Sequence, residues 1–187
     1  MELGALDGIT YSNTIVLSGL LAWRGVLIEA SPASFPSLVR NRPNDILIHA
    51  AICDTPTTVH FVEQKDKAVS GIYEFMAKSF LDVWHPSFNI DSAPRIPCFP
   101  LHSLLRMTGI RHFNLFSLDV EGGELAVLQS LDFTNVIFDV IVVEADSHNE
   151  KKNLSVRDLK KNRGYIFSDH IGSNDWFVRK SFSPRKC

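Results

Sequence analysis

Apolar residues in this chain gather into short unbroken runs, at 2–5, 25–28, 46–52, 115–120 and 138–143. Runs of this kind, bounded by turn residues, mark strands buried on both faces of a parallel sheet. Between them, apolar positions recur at helical spacing in 14–22, in 34–40 after the starter Ser31-Pro32, and in 123–131. A further helix is predicted over 153–162, ahead of a C-capping Gly164. Alternation of strand and helix predicts βαβ units with right-handed crossovers. The expected fold is therefore α/β, with a mostly parallel central sheet and helices on both faces. Residues 165–169 and 176–182 read as strands joined by Gly172-Ser-Asn-Asp175, an antiparallel hairpin closing that sheet.

Residues 61–100 break the alternation. They are rich in aromatics and carry Pro86, Pro94, Pro97 and Pro100. A short edge strand at 59–62 and a helix near 73–83 are predicted around this insertion. Such an insertion forms either a lid or substrate wall, or a satellite core packed on the sheet. The first run is also shorter than the five or six residues usual for a central strand. The natural chain is therefore expected to extend upstream of Met1.

Composition adds bounds. At 187 residues the chain is expected to be a single domain over 1–187, and 45% hydrophobic with 21% charged residues is ordinary globular material. A net charge of −2 gives no support to a nucleic-acid surface. The basic cluster Lys151-Lys152, Lys160-Lys161 and Arg163 is expected to be a solvated helix face. No run approaches the ~18–20 apolar residues of a membrane span, and the start does not resemble a signal peptide. Cytoplasm is the default location for the chain as it stands; an upstream segment would open the secretory pathway. Cys53, Cys98 and Cys187 are an odd, widely spaced set. They are expected to be reduced thiols, with Cys53 a small buried core residue.

In an open parallel sheet, ligands bind beyond the carboxyl ends of the strands. Those ends carry Asp7, Glu29, Cys53-Asp54, Asp119 with Glu121, and Glu144 with Asp146. So acidic a mouth suits a ligand with positive charge and ribose hydroxyls, and suits a polyphosphate poorly. The turn reads Gly4-x-x-Asp7-Gly8, not G-x-G-x-x-G, and there is no glycine-lysine phosphate loop. Glu29 follows Gly8 by about twenty residues, the spacing of a ribose-binding acid. S-adenosylmethionine fits these requirements: a sulfonium cation bearing ribose and adenine, without phosphate. Gly4 and Gly8 would admit its methionyl part, and Ile52 and Cys53 would flank adenine. Asp7 and Glu121 have a second reading as helix caps.

The blocks Glu2-Leu-Gly-Ala-Leu-Asp-Gly-Ile-Thr-Tyr-Ser-Asn-Thr14, Gly25-Val-Leu-Ile-Glu-Ala-Ser-Pro32, Asn41-Arg42 and Ala50-Ala-Ile-Cys53 continue in order. They are followed by Pro97-Cys98, Pro100-Leu101, Phe116-Ser-Leu-Asp-Val-Glu-Gly-Gly-Glu124, Asp139-Val-Ile-Val-Val-Glu144 and Asn174-Asp-Trp-Phe177. Together they resemble the FkbM family of methyltransferase domains, and within it the Star-like branch. The Leu-Asp-Val-Glu-Gly-x-Glu block is the most specific. The resemblance implies a Rossmann-like class I methyltransferase fold and S-adenosylmethionine as methyl donor. It also implies O-methylation of a hydroxyl on a sugar, other glycan acceptor or small metabolite. Donor-holding residues are then Glu2, Gly4, Asp7, Gly8, Asn13, Glu29, Ile52 and Cys53. Asp119 and Glu121 are candidates to orient the methionyl amine, position the acceptor or act as base, with His170 as another candidate base. Asp119, Glu121 and Glu144 are oxygen donors, but their spacing matches no metal motif, and no metal is expected. The alternative, from the Star-like likeness, is a non-catalytic Rossmann-like binding module acting in protein trafficking.

Overall fold

The computed structural model describes residues 1–65, 67–145 and 147–183. In chain order the elements begin β1 (Glu2–Leu3), α1 (Ile15–Leu21), β2 (Val26–Glu29), α2 (Phe35–Asn41), β3 (Ile46–His49) and β4 (Ala51–Ile52). They continue with β5 (Thr57–Val62), β6 (Gly71–Ile72), α3 (Lys78–Trp84), β7 (Arg95–Phe99), α4 (Leu101–Thr108) and β8 (His112–Leu118). The last are α5 (Glu124–Gln129), β9 (Ile137–Glu144), α6 (Glu150–Asn162), β10 (Tyr165–Ile171) and β11 (Asn174–Arg179).

Seven strands form the main sheet in the order β10-β11-β9-β8-β1-β2-β3. β3, β2, β1, β8 and β9 run parallel, and Leu3 lies in register with both Ile28 and Leu118. β11 pairs antiparallel with β9 and with β10, the predicted hairpin. The winding reverses between β1 and β8, the switch point at which such sheets open a ligand crevice.

Side-chain alternation decides the layers. Val26 and Ile28 join the larger core with Leu101, Leu105, Val127, Leu128 and Val156 of α4, α5 and α6. Leu27, pointing the other way, packs with Ala5 and with Leu38 of α2. Helices therefore cover both faces. α1 buries none of its residues. Among the described residues, no helix is long and apolar enough to cross a membrane.

The run at 46–52 divides. Ile46–His49 stays beside β2, while Ala51–Ile52 turns away to pair with β7. β4, β7, β5 and β6 make a second, four-stranded sheet. Its core holds Ala51, Val59, Phe61, Ile72 and Ile96 around Cys53 and Cys98.

Two expectations are corrected here. Cys53 and Cys98 are not reduced thiols: they form a disulfide across 45 residues, with Cα atoms 5.8 Å apart. The cause is the β4–β7 register, Ala51 against Cys98, which brings the following Cys53 alongside. Cys187 lies outside the described residues. The basic cluster on α6 is likewise only partly solvated. Lys151, Lys161 and Arg163 are exposed, but Lys152 is 5% exposed and Lys160 is fully buried. Both point into the protein because α6 packs against α5 and β10.

Candidate functional site

A cavity of about 620 Å³ opens where β1 and β8 part. The ends of β1, β2 and β8 form its floor. Phe61, Lys67, Ser70, Ile72 and Phe75 of the inserted segment form a further wall. Among the described residues, its lining includes four carboxylates, Glu2, Glu29, Asp119 and Glu121, and a single cationic side chain, Lys67. That balance favours a cationic ligand and offers little to phosphate.

Gly4 begins the floor. Its φ is +81°, and a Cβ there would lie 1.7 Å from the Asp119 carbonyl oxygen, so only glycine lets β1 and the β8 exit run this close. Glu2, 3% exposed, organises the next loop. Its carboxylate accepts from the Asn13 N–H at 2.8 Å, the Ser12 hydroxyl at 2.8 Å and the Thr14 hydroxyl at 2.5 Å. Asn13 Nδ2 donates to Ser117 Oγ at 2.9 Å, tying this loop to β8 beside the cavity.

Glu29 closes β2. It is 6% exposed, with Oε2 accepting from the Leu6 N–H and Oε1 from the Ser31 N–H, both at 2.7 Å. Burial, opposed by those bonds and reinforced by the charge of Glu63, pushes its pKa up to about 7. Each carboxylate oxygen retains accepting capacity beyond one bond, so both can also receive ligand hydroxyls.

Ile52 lines the cavity, but Cys53 does not: it points into the second core as half of the disulfide. Asp7 and Gly8 also lie off the cavity wall. Asp7 accepts from the Ile9 and Thr10 N–H groups at 2.9 and 2.7 Å; these outweigh the upward push of burial and lower its pKa. Asp7 is thus a turn former in this arrangement. Gly8, at φ +78°, clears Arg42 and Leu38 of the α2 segment.

Asp119 and Glu121 line the opposite side, at the exit of β8. Their carboxylate oxygens and one from Glu144, at the end of β9, all lie within 4.8 Å of one another. The sequence spacing had not shown this juxtaposition. Burial first, then the charges of Asp119, Glu121 and Glu124, raise the Glu144 pKa well above the carboxylate range. Asp146 lies outside the described residues. His170 lies away from the cavity lining. Its Nδ1 pairs with Asp175 at 2.8 Å, and Arg157 grips the same carboxylate through two bonds, at 2.7 and 2.9 Å.

Sequence reading missed Glu124, whereas residues 67–75 fall inside the insertion read as a lid or substrate wall, or else as a satellite core. Glu124 was visible as the last acid of the Leu-Asp-Val-Glu-Gly-Gly-Glu block.

A parallel sheet wound both ways from its centre, closed by an antiparallel hairpin and opening on an acidic crevice, defines a Rossmann-like methyltransferase domain. The chain belongs to the FkbM methyltransferase family: the profile of the methyltransferase FkbM domain matches residues 2–167. No curated protein and no solved structure matches the chain.

Proposed function

We propose that the domain transfers a methyl group from S-adenosylmethionine to a hydroxyl of a sugar or small metabolite. The observation that carries this reading is Glu29: a buried carboxylate at the end of β2, facing a cavity in which Lys67 is the one cationic side chain among the described residues. Bound there, S-adenosylmethionine supplies an electrophilic methyl group and needs no phosphate contacts. Glu29 would hold the ribose hydroxyls and Ile52 would flank adenine. Glu2 and Asn13 would shape the loop, while Gly4 would leave room for the methionyl part. Asp7, Gly8 and Cys53 would act behind the cavity wall, supporting the turn and the β4 exit. Asp119 and Glu121 would take the acceptor proton, since both line the cavity whereas Glu144 stands behind them. His170 pairs with Asp175 at the hairpin and stands off the cavity lining, so Asp119 and Glu121 take precedence as the base.

Titration calorimetry with S-adenosylmethionine and S-adenosylhomocysteine tests this. Micromolar binding, weakened about tenfold or more by Glu29→Ala, corresponds to about 1.4 kcal/mol of lost ribose contacts. No binding by the folded wild type overturns the donor assignment.

One observation favours a second reading, the non-catalytic module of the secretory system. The Cys53–Cys98 disulfide suits an oxidising compartment, where such bonds persist. The same calorimetry separates the two, because a pure binding module has no need of Glu29 as a ribose acceptor.

A further inference from the structure

Glu124 is fully buried at the first position of α5, and the residue before it, Gly123, provides no side-chain cap. Its Oε1 reaches back to accept from the N–H groups of Val120 and Gly122, each at 3.1 Å. Its Oε2 accepts from Lys152 Nζ at 2.7 Å. Lys152 is anchored in turn: its own N–H is capped by Asn149, and its Nζ lies 3.4 Å from the Glu144 carbonyl oxygen. One buried ion pair therefore joins the β8 exit loop, the start of α6 and the end of β9. Those segments carry Asp119 and Glu121 on the one side and Glu144 on the other.

The loop needs such a hold. Glu121 sits at φ +54°, a left-handed conformation unfavourable for a side-chain-bearing residue. Gly122 follows at φ +106°, so close to the inserted segment that a Cβ would lie 2.5 Å from the Phe75 carbonyl oxygen. Asp119 and Glu121, whose carboxylate oxygens lie within 4.8 Å of each other beside Glu144, also repel one another when charged. Left alone, the loop would relax and separate the acids.

We propose that Glu124 and Lys152 are positioning residues that hold Asp119, Glu121 and Glu144 in their shared arrangement at the cavity. Neither carboxylate nor ammonium lines the cavity, so the pair acts through the loop. This deepens the methyltransferase reading and rests on it for its purpose, but the loop restraint itself is measurable without any ligand.

The test is hydrogen exchange at the Val120 and Gly122 amides, followed by NMR on the free protein. Both amides are expected to be protected in the wild type. Glu124→Leu is expected to speed their exchange about tenfold or more while Phe116 and Ile141 in the sheet keep their protection. Glu124→Gln, which retains a carbonyl oxygen for the two amides, is expected to restore most of it. Should Glu124→Leu fail to fold, Lys152→Met against Lys152→Arg poses the same question, with arginine expected to recover the protection that methionine loses. The S-adenosylhomocysteine Kd of each folded variant is expected to follow the same order. Unchanged exchange at Val120 and Gly122 in folded Glu124→Leu, or in folded Lys152→Met where that pair stands in, overturns the proposal. So does a wild-type Kd in a variant whose loop has been released. A wild type that binds no S-adenosylhomocysteine counts against the donor assignment instead, and the exchange rates still decide the restraint.

Discussion

Glu29 at the end of β2 and Glu124 at the start of α5 each accept two backbone N–H groups and are each nearly sealed from solvent. They part company in what else they meet. Glu124 has Lys152 at 2.7 Å and no share of the cavity. Glu29 has no cation against it among the described residues, and it faces the cavity with a pKa pushed up to about 7. A buried carboxylate with a partner cation holds structure together. One without a cation keeps accepting capacity for an incoming ligand, at some cost to the stability of the empty protein.

The sharpest way to break this comparison is to remove Lys152. Lys152→Met leaves Glu124 charged and buried without its partner, and is expected to cost about 3–5 kcal/mol in urea denaturation. Glu29→Ala removes a carboxylate that had no cation to lose, so its stability loss is expected to be the smaller of the two, while its loss falls on donor binding. If both variants lost stability equally, the distinction between the two acids would fail.

Acidity gives a finer test. Because burial raises the Glu29 pKa from 4.5 to about 7, the folded state takes up its proton more readily than the unfolded one. Its contribution to stability is thus fully present below pH 4.5 and is lost as pH rises through about 7. The stability gap between wild type and Glu29→Ala is therefore expected to narrow from pH 5 to pH 8. Under the proposed donor assignment, binding is expected to run in the opposite sense, since the charged form is the better acceptor for ribose hydroxyls. With about a tenth of the group ionised at pH 6, affinity there is expected to be about tenfold below that at pH 8 by calorimetry.

Lys160 supplies the smallest effect and a third case. It is fully buried, and its Nζ has no hydrogen-bond partner among the described residues. It faces the rings of Phe133 at 4.6 Å and Tyr165 at 5.1 Å, and burial holds its pKa well below the usual ammonium value. Lys160→Met is expected to raise stability by about 1 kcal/mol, readable as a higher Tm. A fall would show that the ring contacts outweigh the buried polar atom.

The main sheet was legible because its strands are buried on both faces and so advertise themselves as apolar runs. The hairpin was legible from its turn residues. The second sheet was harder, for reasons that lie in particular residues. β7 contains Pro97 and follows Pro94, which argue against a strand; β4 and β6 are two residues each. The break after His49 falls inside an unbroken apolar run, and only pairing with a distant strand reveals it. The disulfide depends on that same pairing. Lys152 and Lys160 look solvated in a basic helix, because burial of a lysine is settled by what packs across from it. At the site, the place of Glu29 at the end of β2 could be read from the sequence, whereas Glu144 joins Asp119 and Glu121 only through the β8–β9 register.

The Cys53–Cys98 bond has one more consequence. It ties residues 53–98 into a covalent ring, and that ring includes Phe61, Lys67, Ile72 and Phe75 of the cavity wall. A protease that nicks the ring once anywhere inside it produces no free fragment: the two halves migrate together until a thiol reductant is added. The wall behaves as a panel riveted at its base, able to be cut without being removed.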